Sequence, residues 1–208
     1  MRVKRTEKST ADKILARAIH RGRGSVFFGV ELLDLGQSVA VRKALSRLVR
    51  TGIIRRIGTS LYHYPVINEK LGGELPPSAD AVAWAIARRT DSRVMPSGAL
   101  AVNLLGLSTQ VPAKRVYLTS GLSRSIVVGS YTFAFRHVSP RRMAVRGKYS
   151  SMVFEALRYL KRGNVTDDVI ARLRRTLPEK VKVELRRDLP HASVWMRPFV
   201  MRIIGEEG

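Results

Sequence analysis

Cysteine is absent from the chain. That excludes disulfides, thiolate nucleophiles and cysteine-bound zinc. Acidic side chains are scarce: 16 Asp+Glu stand against 38 Lys+Arg, and the net charge is +22. A surplus of that size favours polyanionic partners over acid-rich catalytic centres. No apolar run reaches the roughly 18 residues that a transmembrane helix needs. The first ten residues, MRVKRTEKST, are charged and no apolar segment follows them, so a signal peptide is not expected and the chain is expected in the cytoplasm.

What the chain does have is enough apolar material to fold. Hydrophobic residues make up 45% of 208 positions, which allows one large or two small domains and argues against global disorder. The basic surplus is spread along the chain. Residues 1–70 hold 15 basic and 5 acidic side chains, and residues 71–208 hold 23 and 11.

The most informative stretch is residues 36–64, GQSVAVRKALSRLVRTGIIRRIGTSLYHY. Val41, Leu45, Leu48 and Val49 recur at i, i+4, i+7 and i+8, one face of a helix. Val39, Arg42, Lys43, Ser46, Arg47 and Arg50 spread over about 140° of the other side, at about 100° per residue. Gln37 and Ser38 offer a polar start, and Thr51-Gly52 a stop in which glycine takes a left-handed conformation. Residues 53–57 then alternate apolar and basic, 58–60 turn, and 61–64 return as a strand. A basic helix followed by a basic hairpin predicts a winged helix-turn-helix, with the helix in the major groove and the hairpin on the backbone.

The rest of the first domain fits that order. A helix is expected from Thr10, as its cap, to about Arg21, with Ile14, Leu15, Ala18 and Ile19 inward. Residues 25–28 read as a strand, and Phe27, Phe28, Leu32, Leu33 and Leu35 as the core under the groove helix. Residues 1–9 read as a basic arm. The predicted organisation is a winged helix over 1–66, a Gly/Pro-rich linker over 67–78 and an α+β domain over 79–208. In that second domain Ser78 and Ser97 should cap helices, with Trp84 anchoring the first. Three strands at about 116–119, 125–128 and 131–138 read as an antiparallel meander turning at Gly129-Ser130. Helices are expected at 151–160, 166–177 and 178–189, then an apolar segment at 195–204 and an exposed acidic end.

A search for catalytic chemistry returns little. Ser97-Gly98 and Thr119-Ser120-Gly121 lack a nucleophile-elbow context. His20, His63, His137 and His191 are scattered, without metal-ligand spacing. Glu179, Glu184 and Asp188 alternate with Lys180, Lys182, Arg186 and Arg187, as on a charge-laced helix face, so a metal-dependent nuclease is the lesser alternative. Asp167-Asp168 read as helix-start charges. No catalytic, cofactor or metal site is expected.

Several strings together resemble a known family. Residues 44–65 (ALSRLVRTGIIRRIGTSLYHYP), 85–89 (AIARR), 96–112 (PSGALAVNLLGLSTQVP) and 117–124 (YLTSGLSR) look like bacterial antitoxins of the AbiEi type, and the likeness covers about residues 10–200. It implies a non-catalytic protein of plasmid maintenance and phage abortive infection. Its winged helix would bind inverted repeats in its own promoter. Its second domain would neutralise a nucleotidyltransferase toxin, directly or indirectly. On this reading the DNA-binding residues are Ser38, Val39, Arg42, Lys43, Ser46, Arg47 and Arg50 on the helix, and Arg55, Arg56, Thr59, Ser60 and His63 on the wing. Ser108, Thr109 and Gln110 in the loop to Pro112, with Ser123 and Arg124, are the candidate antitoxin surface. The alternative is a stand-alone winged-helix regulator whose second domain senses a ligand or dimerises. Oligomeric state is not legible.

Overall fold

A computed structural model describes residues 8–110, 114–129 and 131–206. Most of the basic arm, Val111 and Pro112 of the second-domain loop, Ser130 of the strand turn and the last two residues of the acidic end lie outside the described residues. The protein is α+β. It divides into two compact units, Met1–Asp91 with Val128–Ser130, and Ser92–Val127 with Tyr131–Gly208.

The first unit begins with α1 (Thr10–Arg21). Its cap is Ser9, one residue earlier than expected: Ser9 Oγ accepts from Asp12 N at 3.3 Å and the Asp12 carboxylate accepts from Ser9 N at 3.1 Å. This reciprocal box satisfies two of the donors every helix start leaves open. β1 (Val26–Phe28) and a 3-10 segment (Gly29–Leu35) lead to α2 (Ser38–Arg50). β2 (Arg55–Gly58) and β3 (Leu61–His63) form the hairpin, and β1 pairs with β3 to give the sheet order β1-β3-β2. This is the winged helix-turn-helix order. Ile14, Ala18, Phe27, Leu32, Val41, Leu45 and Leu48 share its core. Ile19 and Leu33 do not join it; they are exposed, because each falls just outside the buried stripe of its short element.

The expected linker is structured. β4 (Val66–Asn68) and β5 (Gly73–Leu75) make an antiparallel hairpin. Gly72 and Gly73, at φ 83° and 119°, supply the turn, a conformation that side chains disfavour. α3 (Ala79–Arg89) follows, capped by Ser78 as expected, but it belongs to the first unit. Arg88 donates to Val26 O at 2.7 Å and pairs with Glu31 at 3.2 Å, and the Arg89 guanidinium lies 4.5 Å from the Phe28 ring centre. Trp84, the expected anchor, is partly exposed. The alanines and Val82 and Ile86 do the burying instead.

The second unit holds a four-stranded sheet in the order β6-β7-β9-β8. β6 (Val94–Pro96), β7 (Arg115–Thr119), β8 (Arg124–Val128) and β9 (Tyr131–His137) differ from the expected meander. β7 pairs parallel with β9, so β8 lies at the edge, and a strand unforeseen in the sequence, β6, pairs antiparallel on the other side of β7. Tyr117 on β7 is buried between Phe133 and Phe135, ring centres 6.4 and 6.1 Å away. That aromatic contact fits the parallel register. α4 (Gly98–Leu104) and α5 (Lys148–Leu160) pack on the sheet. α6 (Asp167–Thr176), α7 (Glu179–Asp188) and α8 (Arg197–Ile204) complete a helical core around Val153, Leu157, Leu173, Leu185, Met196 and Ile203.

No helix among the described residues is long and apolar enough to cross a membrane.

Candidate nucleic-acid interface

α2 is fixed at its far end by backbone bonds and by Thr51, whose Oγ1 donates to Arg47 O and Leu48 O at 3.1 and 3.2 Å. Gly52 N donates to Val49 O and Ile53 N to Leu48 O, both at 3.0 Å, with Gly52 at φ 73°. This is the double-bonded stop in which only a left-handed residue fits. At the near end Gln37 is the cap position, but no side chain caps there. Ser38, the first residue of α2, is exposed.

One side of α2 is buried through Val41, Ala44, Leu45 and Leu48. Ser38, Val39, Arg42, Lys43, Ser46, Arg47 and Arg50 are all exposed. Among the described residues none of the four basic side chains there makes an ion pair. A row of exposed cations on a rigid helix is what a phosphate-rich groove would attract. Hydrogen bonds from Ser9 do most to lower the pKa of Asp12 of α1, and of the four cations Arg47 lies near enough to help.

The hairpin sorts its residues by the two-residue period of a strand. Arg56 pairs across to Tyr62, and Arg55 to His63. Neighbouring residues point to opposite faces, so the two arginines cannot both face one ligand. Arg56, Thr59, Ser60 and Tyr62 line a cleft of about 410 Å³ together with Arg42, Ser46 and Val49 of α2. Arg55 faces away. Its guanidinium pairs with Glu74 on β5 and donates to Ile54 O at 3.2 Å. The expectation that Arg55 touches phosphate is therefore corrected. His63, on the same face as Arg55, is 2% exposed and has no hydrogen-bond partner at Nε2. Burial lowers its pKa below the ordinary imidazole value, partly opposed by Glu74. It is a neutral sheet residue and not a phosphate contact on the wing. Tyr62 and Val49 are the cleft residues that sequence reasoning missed; the β2–β3 register, applied to Arg56, would have found Tyr62.

The turn between the strands is tight. Ser60 sits at φ 54°, and its carbonyl accepts from Gly29 N at 2.9 Å. The wing tip is thus tied to the start of the 3-10 segment.

In the second unit the candidate surface dissolves into local bonding. Asn103 Nδ2 donates to Ser108 O and Gln110 O at 3.3 and 3.0 Å, and Ser108 Oγ accepts from Gln110 N. Thr109 is exposed. Ser123 Oγ accepts from His137 N at 2.8 Å, and the Arg124 guanidinium lies 5.5 Å from the Phe135 ring centre. These are turn and strand-start supports. Ser120 Oγ and Thr119 Oγ1 likewise accept from Arg93 N and Gly121 N.

The carboxylates of α7 also have structural work. Glu184 accepts from Ser150 N at 2.7 Å and Asp188 from Gly147 N at 2.8 Å. Both cap the start of α5, and Asp188 is 3% exposed. Burial pushes the Asp188 carboxyl up, but bonds from Arg187 and the Gly147 amide outweigh it and hold it below the usual range. Among the described residues no three His, Asp or Glu side chains gather as a metal site.

A family model matches residues 13–185. The chain belongs to DUF6088, a family of unknown function. The DUF6088 match runs from α1 into α7 and so takes in both units. No curated protein is significantly similar to the chain.

Proposed function

We propose that the first unit binds double-stranded DNA, with α2 in the major groove and the β2–β3 wing on the adjoining backbone. The supporting observation is that Arg42 and Ser46 of α2 share one cleft with Arg56, Thr59 and Ser60 of the wing. Helix residues there can reach base edges while wing residues hold phosphate. The chain then acts as a repressor at inverted repeats in its own promoter. By resemblance, the second unit is an antitoxin that neutralises a nucleotidyltransferase toxin. The other reading is a stand-alone regulator with a ligand-sensing second unit; a cleft there lined by Arg141, Arg142, Arg158 and Arg197 favours it.

Three variants and two duplexes test the DNA reading. Leu45 is 2% exposed, so Leu45→Ala should cost about 2–5 kcal/mol of stability. Arg42→Ala and Lys43→Ala should leave unfolding nearly unchanged. Whichever reads a base should lose about 1–3 kcal/mol of preference for the promoter fragment over a scrambled duplex. Wild-type binding by both variants would take α2 out of the groove. Co-expression with the adjacent gene product tests the antitoxin role: growth restored by the full chain supports it, and unchanged toxicity at matched expression rejects it.

A further inference from the structure

The second unit is as basic as the first. Residues 92–208 carry 21 basic and 8 acidic side chains, which a DNA-reading helix in the first unit does not explain. Part of that surplus converges on one cleft of about 350 Å³. Arg141, Arg142, Arg158 and Arg197 line it, and the one carboxylate among its lining residues is Glu155.

Glu155 is the organising group. It lies on α5, is 3% exposed, and accepts from Nε and Nη2 of Arg142 and from Nε of Arg158 at 3.4 Å. Arg158 Nη1 also reaches Ser193 Oγ at 3.4 Å. A buried anion with two guanidiniums fixed on it is a pre-set fork. Nη1 of Arg142 and Nη2 of Arg158 are left over by these bonds. Arg141 stands exposed at the rim, and Arg197 is held at the other side by a 3.2 Å bond to Pro190 O. Four guanidiniums against one carboxylate leave a local surplus of three positive charges. The walls between them are mixed: buried Phe154 and Val145 and exposed Val194, 76% open to solvent, stand beside Ser139, Ser193 and His191. The volume falls at the small end of ligand clefts, about 300–1,000 Å³.

We propose that this cleft is a polyphosphate-binding site, taking either inorganic pyrophosphate or the phosphate chain of a nucleoside di- or triphosphate. Two or three linked phosphates match the surplus charge. Guanidinium forks recognise their oxygens pairwise. The site does not depend on the DNA-binding reading, since its residues all lie in the second unit.

The test is titration calorimetry on the full chain at about 0.2 M salt, where loose surface attraction is screened. Pyrophosphate, ATP and AMP are the probes. Saturable binding of pyrophosphate or ATP at one per chain is expected, with AMP at least tenfold weaker. Tighter ATP than pyrophosphate identifies a nucleotide as the source; equal affinity identifies the free polyphosphate. Arg141→Ala with Arg197→Ala should weaken binding at least tenfold, and Val194→Asp should weaken it by placing a charge at the lip. All three positions are exposed, so unfolding curves should match the wild type. Arg42→Ala with Lys43→Ala should bind the probes normally. Absence of saturable binding, wild-type affinity in the Arg141/Arg197 double variant, or an equal loss in the Arg42/Lys43 double variant would overturn the site. Displacement of ATP by a short duplex would overturn it too, by making the cleft part of a nucleic-acid surface.

Discussion

Arg55 and Arg56 are adjacent in sequence and opposite in role. Arg56 shares the cleft with α2, whereas Arg55 is tied to Glu74 on the neighbouring hairpin. Arg56→Ala should therefore weaken binding to specific and scrambled duplexes alike and reduce the salt slope by roughly one unit, with stability unchanged. Arg55→Ala should leave the slope alone. Its pair is half-exposed, at 40% and 37% side-chain exposure, so the loss of stability should be only about 0.2–1 kcal/mol. A salt titration of both variants separates them, and a lower slope for Arg55→Ala would contradict the register argument. His63 gives a second residue-scale prediction. Its folded pKa is lowered, chiefly by burial. Above the ordinary value of 6.5, imidazole is neutral in both folded and unfolded chains and adds no pH dependence. As pH falls below that value the unfolded chain binds a proton that the folded chain resists, so stability declines until the folded pKa is passed. In a Trp195→Phe background, Trp84 reports the first unit. Its urea midpoint should drop between pH 7.5 and 5, and His63→Gln should flatten that drop. A wild-type slope no steeper than that of His63→Gln would remove His63 as its cause.

Among the elements, α4 and α5 approach closely enough to exclude a side chain at Gly98. A Cβ on Gly98 would stand 2.5 Å from Tyr159 Cβ and 2.8 Å from the Glu155 carbonyl oxygen. Backbone cannot yield as a side-chain tip can, so Gly98→Ala should cost about 1–3 kcal/mol. Urea unfolding followed by Trp195 measures it; an unchanged midpoint would mean that the helices can separate without cost. Ser97-Gly98 thus marks a packing site, which a single sequence does not distinguish from a loop serine beside a glycine. The longer elements were legible because burial repeats along them. α2 announced itself through Val41, Leu45 and Leu48, and α6 through Thr166 and its first-turn aspartates. Short elements gave too few repeats. β6 has three residues, and β4 and β5 have three each around two glycines, so composition alone made them look like connection. The parallel pairing of β7 with β9 was hidden for another reason. Strand pairing depends on aromatic contacts at a distance along the chain, such as Tyr117 against Phe133, and local alternation is silent about it. The wing failed differently: its alternation was visible, yet both arginines were assigned to DNA, which a two-residue period forbids.

The two units set where the molecule can be cut. A fragment ending at residue 66 keeps α1, α2 and the wing, and on sequence grounds it resembles a complete domain. It loses Glu74, which holds Arg55, and Arg88 and Arg89, which cover Val26 O, Glu31 and the Phe28 ring. That would leave a cation without its partner and a β1 edge without its cover, so the 1–66 fragment should be markedly less stable than one ending at residue 91. The 1–91 fragment should fold cooperatively, with Trp84 fluorescence as the reporter, and bind the promoter fragment with the preference of the full chain. Salt dependence then asks what the remaining basic residues do. Each phosphate neutralised adds about 0.9 to the slope of log affinity against log salt. If the second unit keeps its arginines for a polyphosphate, the 1–91 fragment and the full chain should have slopes within about one unit of each other. A full-chain slope steeper by two units or more would place the second unit on the DNA backbone as well. Failure of the 1–91 fragment to fold would show that residues 1–91 do not stand without the rest of the chain, which includes residues 128–130 of the first unit.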